Sequence, residues 1–273
     1  MICPIKILLI SFIFIKLTFS QIITTDSIDI LKSELNKVET DTLVIFDCDD
    51  VLLYKTDSLL NKDNADELKK YINFAFLKHP LAYFDIDELK WVVLKNCHQI
   101  LVHNDFVDMI SKLQNRNIKT IVLTAMLNKT TNEGSFIDLR INELAKFGFD
   151  FSKNWDNLKE TALIEETENP YYKKGIVCSG SMSKGTTLEL FLKYSKFIPK
   201  KIIFIDDMKK NLEDVKIFSK KAGIEFLGIE YLGYKKMLHK FPFSKKRAIF
   251  QLDYLIKNKL WLSDEEAEST MKD

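Results

Sequence analysis

Six residues of this chain have side chains whose types and spacing could perform chemistry together. Asp47 and Asp49 follow the apolar run 42–46 (TLVIF), Thr124 follows 119–123 (KTIVL), and Asp206 and Asp207 follow 201–205 (KIIFI). The sixth, Lys184, stands in the segment 179–185 (SGSMSKG), at the start of a helix expected to begin near Gly185. A strand has a two-residue period, so Asp47 and Asp49 share a side if the strand continues, and Cys48 packs on the other face. Bringing Asp206 and Asp207 alongside would concentrate four carboxylates in one crevice. Such a cluster repels itself unless a divalent cation neutralises it, and all-oxygen ligands suit Mg2+. An ammonium at a helix N-terminus favours an anion, phosphate most readily.

Together these groups describe phosphoryl chemistry. Asp47 would attack phosphorus and form an aspartyl-phosphate, with Mg2+ and Lys184 shielding the repulsion between carboxylate and phosphate. Thr124 and Lys184 would bind the substrate phosphate. Asp49, its pKa raised by like charges nearby, would protonate the leaving alcohol and later activate water.

The elements that must position these residues follow from periodicity. The three runs are short, β-branched and almost wholly apolar, as in strands buried on both faces of a parallel sheet. Residues 224–231 and 174–178 are further candidate strands. Helical spacing of apolar residues occupies 104–116, 136–147, 185–196, 209–221 and 245–260, the second opening with Ser135 and Asp138 as a capping pair. Strands alternating with helices predict a doubly wound, Rossmann-like α/β sheet, whose ligands lie at the carboxyl ends of the strands. Two segments break the rhythm. Residues 54–103 carry two stretches of helical spacing, and 149–173 read as an irregular excursion. The expected plan is a core of 21–53 and 104–262, a helical cap of 54–103, and a frayed acidic tail of 263–273.

These motifs resemble the haloacid dehalogenase superfamily. FDCDDVLL at 46–53 is similar to its first motif, VLTA at 122–125 to its second, Lys184 to its third and IFIDDMKKN at 203–211 to its acidic fourth, in the right order. The opening FDCDDVLLYKTDS resembles exported acid phosphatases. The segments SKGTTLELFLK, PKKIIFIDD and GIEFLGIEY resemble exported proteins of intracellular bacteria from the same superfamily. The resemblance implies Asp47 as nucleophile and Asp49 as acid and base. It implies a Mg2+ held by Asp47, the Asp49 backbone carbonyl and an acid of the fourth motif, where Asp207 aligns with the direct ligand beside Asp206, and Asn211 supports. Asp50 stands where many relatives have Gly, and Val51 where Thr is commoner. An acid at position 49 favours phosphate hydrolysis over ion-pumping ATPases or dehalogenases.

Composition bounds the rest. The 273 residues carry 40 Lys or Arg against 39 Asp or Glu, a net charge of +1, which argues against a duplex nucleic acid or anionic membrane held by long-range attraction. Hydrophobic residues at 46% exclude a disordered chain. Residues 1–20 combine Lys6, an apolar run from Ile7 to Ile15, and small residues at Thr18 and Ser20, the pattern of a cleaved export signal. That stretch is too short for a stable membrane anchor. Cys97 and Cys178 could pair or remain buried thiols. Asp85 and Asp87 also spell Asp-x-Asp, but no apolar strand precedes them, so Asp87 reads as a helix cap. The expectation is an exported, Mg2+-dependent phosphatase acting on a small phosphorylated substrate. Its rivals are a catalytically silent binding or effector protein of the same fold, and a phosphotransferase.

Overall fold

The computed structural model describes residues 20–165 and 169–272. The leader expected over 1–20 therefore lies outside the described residues, apart from Ser20. Strand β1 (Ser20–Thr25) and helix α1 (Ile28–Asn36) precede β2 (Thr42–Phe46), whose five residues are all buried. The first insert leaves through β3 (Leu53–Lys55), forms α2 (Ala65–Lys78) and α3 (Ile86–Asn96), and returns through β4 (Gln99–Leu101). Strands β3 and β4 pair antiparallel, Leu53 opposite Leu101, so the insert stands on a closed stalk.

Helix α4 (Asp105–Asn115) then leads to β5 (Lys119–Thr124). A small hairpin of β6 (Thr130–Thr131) and β7 (Gly134–Ser135) introduces α5 (Phe136–Lys146). Ser135 accepts a hydrogen bond from the Asp138 amide, the cap expected from the sequence. Strands β8 (Thr161–Ala162), β9 (Tyr171–Lys173) and β10 (Ile176–Cys178) follow. Helix α6 (Lys184–Ser195), β11 (Lys201–Asp206), α7 (Lys209–Ala222) and β12 (Glu225–Tyr231) complete the winding. The chain closes with α8 (Lys245–Asn258) and α9 (Asp264–Thr270).

The main sheet runs β1-β12-β11-β2-β5-β10-β9-β8, with parallel pairing from β1 through β10 and antiparallel pairing at the β9 and β8 edge. This is the doubly wound α/β sheet that the apolar runs predict. Alternation along its strands explains the two cores. Val44, Phe46, Val122, Ile203 and Ile205 pack into one cluster, while Leu43, Ile45, Ile121, Leu123, Ile202 and Phe204 pack into the other. Strands buried on both faces need apolar residues at every position, hence the unbroken runs. At Gly185 a Cβ would lie 2.4 Å from the Asp214 carbonyl oxygen, so the α6–α7 contact requires a residue without a side chain.

The structure departs from expectation in three places. The excursion 149–173 is partly ordered as β8 and β9, which extend the sheet. The acidic tail does not fray: Ser263 and Glu266 form a capping box, Ala267 is buried, and Asp264, Glu265 and Glu266 crowd the first turn of α9, where a helix favours negative charge. Buried Arg247 pairs with Asp264 at 2.7 Å and with Glu268. Finally, the first insert does not fold on itself alone. Leu59, Tyr71, Ala75 and Leu89 share one core with Ala248, Leu252, Leu255 and Trp261, so the helical layer is built from the insert and the C-terminal helices together. Cys48, Cys97 and Cys178 are buried free thiols.

Candidate functional site

Strands β2, β5 and β11 end at one edge of the sheet, and the chemistry-bearing residues gather there. Beyond β2, the Asp47 amide donates to the Ile205 carbonyl at 2.9 Å, extending the ladder by one residue and pinning Asp47 beside β11. Its carboxylate lies 2.8 Å from the Lys184 ammonium, which also donates to Asp206 at 2.7 Å. Lys184 is the first residue of α6, with Ser183 capping that helix through the Thr186 amide, and it is buried. The helix start thus delivers the ammonium between two strand ends. Asp206 is anchored further: its Oδ1 accepts from the Met208 amide at 2.7 Å and from Asn211 Nδ2 at 3.0 Å. Asp207 pairs with Lys62 of the insert.

Asp47, Asp206 and Asp207 offer buried carboxylate oxygens within 4.8 Å of one another. Burial pushes the Asp47 carboxyl up to about 6, with Lys184 opposing the shift and Asp206 adding to it. Burial likewise raises Asp206 and Asp207 against the pull of Lys184 and Lys62. Burial would lower Lys184, but Asp47 and Asp206 outweigh it and hold the ammonium above the usual lysine range. Three hard oxygen donors, short of positive charge despite two lysines, form a set that a small divalent cation fits. Thr124 is buried at the end of β5; its hydroxyl accepts from the Met126 amide at 3.3 Å and its carbonyl from the Ser179 amide at 2.8 Å.

Asp49 does not join this cluster, which corrects the expectation of four acids in mutual repulsion. Its carboxylate accepts from Arg140 Nη2 at 3.0 Å and from the Lys55 ammonium. Burial alone would raise its pKa, but the charges of Arg140 and Lys55 prevail and hold it well below the ordinary carboxylate range. The expected upward shift is overturned because the nearest charges are cations. Asp50 has a left-handed φ of 62°, the conformation for which glycine is the usual residue, and burial pushes its carboxyl up to about 7. Cys48 packs with Val44 and Phe46 on the face away from Asp47, and its thiol lies 3.2 Å from Nη1 of the same Arg140 that holds Asp49; the expected sharing of one side by Asp47 and Asp49 is lost because β2 ends at Phe46.

Arg140, Lys55 and Lys62 were not legible as site residues. Arg140 left one signal: it falls on the stripe of Phe136, Ile137 and Leu144 that α5 buries, and a buried arginine needs acidic partners. It has them in Asp49 and in Glu143, 3.2 Å from Nη1. The aromatic residues of the insert do not converge on the acids. Tyr71 stacks on Phe243, Phe76 meets Tyr83 edge to face, and Phe74 and Phe84 are exposed.

Fold and site define an α/β protein of doubly wound type with a lysine-bridged cluster of buried carboxylates at the carboxyl edge of its sheet. Residues 24–268 match the family described as a protein of unknown function (DUF2608), and the chain belongs to that family. It is 29% identical to an uncharacterised protein of Rickettsia prowazekii over 259 residues, covering 91% of this chain and 90% of the relative. A protein of Chlamydia trachomatis named "Putative outer membrane protein" is 27% identical over 216 residues, 79% of this chain and 78% of its own length. One of Chlamydia muridarum with the same name is 25% identical over 90% of this chain and 88% of its own. No solved structure matches. Among the described residues, no helix is long and apolar enough to cross a membrane.

Proposed function

We propose that the protein is an exported phosphate monoester hydrolase of haloacid dehalogenase type that uses Mg2+. The observation that carries this reading is the Asp47–Lys184–Asp206 chain of contacts, with Asp207 beside it, at the ends of the adjacent parallel strands β2 and β11 and the start of α6. Four sequence motifs fall in family order on β2, β5, α6 and β11. Export is supported by the composition of residues 1–20 and by the names of the chlamydial relatives.

Asp47, Asp206 and Asp207 would hold the Mg2+, which supplies positive charge for the phosphate oxygens. Asp47 attacks phosphorus through a carboxylate oxygen; the bond to the alcohol oxygen breaks and an acyl phosphate forms on Asp47. Lys184, fixed by Asp206, neutralises the charge that builds between the two anions. Thr124 and the N-terminus of α6 receive the phosphate. Asp49 protonates the departing alcohol and then takes the proton of the water that cleaves the acyl phosphate. Because Arg140 and Lys55 depress Asp49, its protonated form is scarce at neutral pH, and turnover should favour acidic conditions.

That same pairing favours a second reading. A carboxylate held by two cations could be structural, in a fold that binds phosphate or metal without turning it over. The two separate in one assay: a panel of phosphate monoesters with Mg2+, beside Asp47→Asn and a chelated control. Turnover that disappears in the variant and with chelator supports the hydrolase. Mg2+ binding without turnover on any ester supports the silent protein, and an Asp47→Asn variant as active as wild type removes Asp47 from the mechanism.

A further inference from the structure

An open cleft of about 410 Å³ runs between α2, α3 and α8 and the loop that leaves β5. Its size falls in the range of small-molecule sites. Among its lining side chains, only Lys90 and Trp261 carry a nitrogen or oxygen atom. The Trp261 indole N–H is spent on Asp57 at 2.8 Å, and Lys90 lies 3.7 Å from Asp87. Ile72, Phe76, Val93 and Leu255 supply much of the wall.

Two lining residues tie the cleft to the phosphoryl site. Ala125 directly follows Thr124, and Leu60 stands two residues before Lys62, whose ammonium holds Asp207. The cleft wall therefore comes within two residues of Thr124 along one segment and of Lys62, the partner of Asp207, along another. A sugar or nucleotide leaving group would bury hydroxyls or ring nitrogens against this wall without partners, which is costly. A hydrocarbon chain loses nothing there, and it covers apolar surface that otherwise faces water.

We infer that this cleft takes the hydrocarbon chain of an amphiphilic phosphate monoester whose phosphate sits at the Asp47–Lys184 site. As a statement about substrate the inference rests on the hydrolase reading; as a statement about binding it does not. The test pairs ethyl, butyl, octyl and dodecyl phosphates, all kept monomeric, with the full chain and Mg2+. Each methylene inside the cleft should raise kcat/KM about three- to fourfold, the equivalent of about 0.8 kcal/mol, until the cleft is full. Ala75→Phe and, separately, Val93→Phe narrow the cleft and should flatten the series while leaving ethyl phosphate hydrolysis unchanged. Calorimetric titration with butyl- and dodecylphosphonate, which cannot be hydrolysed, separates the two claims. Chain-dependent phosphonate binding with no turnover on any ester retains the cleft as a ligand site and rejects the hydrolase. Equal kcat/KM across the series, with phosphonate binding that ignores chain length, overturns the inference.

Discussion

Replacing Lys184 by methionine removes the positive charge that two buried carboxylates share. In wild type, Asp47 and Asp206 lie 2.8 and 2.7 Å from that ammonium, and Lys184 is only 3% exposed. Methionine keeps most of the volume, so the loss is electrostatic and little cavity forms. Deleting one partner of a buried ion pair costs about 3–5 kcal/mol, because the remaining charge is stranded without water. For a domain of this size that corresponds to a fall in Tm of roughly 6–20 °C.

Two conditions should rescue the variant. Lower pH protonates Asp47, whose carboxyl burial already pushes up, and so relieves the stranded charge; stability should therefore be greater at pH 5 than at pH 8. Mg2+ bound among Asp47, Asp206 and Asp207 would supply the missing positive charge and stabilise the folded state by mass action. The assay is urea unfolding of wild type and Lys184→Met at pH 5 and pH 8, with chelator or with Mg2+. A variant within about 0.5 kcal/mol of wild type at pH 8 in chelator, with an unchanged urea slope, would refute the reasoning. It would mean that Asp47 and Asp206 are not held together by this lysine.

Lys55→Gln removes one of the two cations that depress Asp49 while leaving Arg140 in place. The Asp49 pKa should rise, so the protonated acid persists to higher pH, and the alkaline limb of the pH–rate profile should move upward; an unmoved limb rejects Asp49 as the proton donor. Gly185→Ala drives a methyl group into the Asp214 carbonyl and should destabilise by about 1–3 kcal/mol, read by thermal unfolding; a variant as stable as wild type would show that α6 and α7 can separate to admit it. Truncation after Leu262 deprives Arg247 of Asp264 and Glu268 and Asp57 of the Asp264 amide. Hydrogen exchange should then quicken in α2 and α8 while the central strands stay protected; uniform protection would show that α9 is dispensable.

Much of the architecture was legible because its causes are local. An apolar run such as Thr42–Phe46 has few alternatives to a strand covered on both faces, and the two-residue period alone sends Cys48 away from Asp47. Ser135 with Asp138 marks a helix start within four residues. Strand β1 was less legible, since Ser20–Thr25 becomes an edge strand only by pairing with Phe226–Tyr231 at the far end of the chain. The partnership of insert and C-terminal helices was hidden for the same reason: helical spacing shows that α2 and α8 each have an apolar stripe, but not that they bury it against each other.

At the site the division is sharper. Residue type and strand-end position, by themselves, pointed to Asp47, Lys184, Asp206 and Asp207 gathering at the carboxyl edge of a parallel sheet, as they do, with Thr124 at the end of the neighbouring strand β5. Only the tertiary structure decided which charge faces which. Arg140 reaches Asp49 across 91 residues and Lys62 reaches Asp207 across 145, contacts that no local pattern encodes. The pKa of a buried carboxyl is set by the few charged groups within several ångströms of it, and packing chooses those neighbours. That is why the expected acid at Asp49 proved to be the most firmly ionised carboxylate of the group, while burial pushed up the pKa of Asp47, the expected nucleophile.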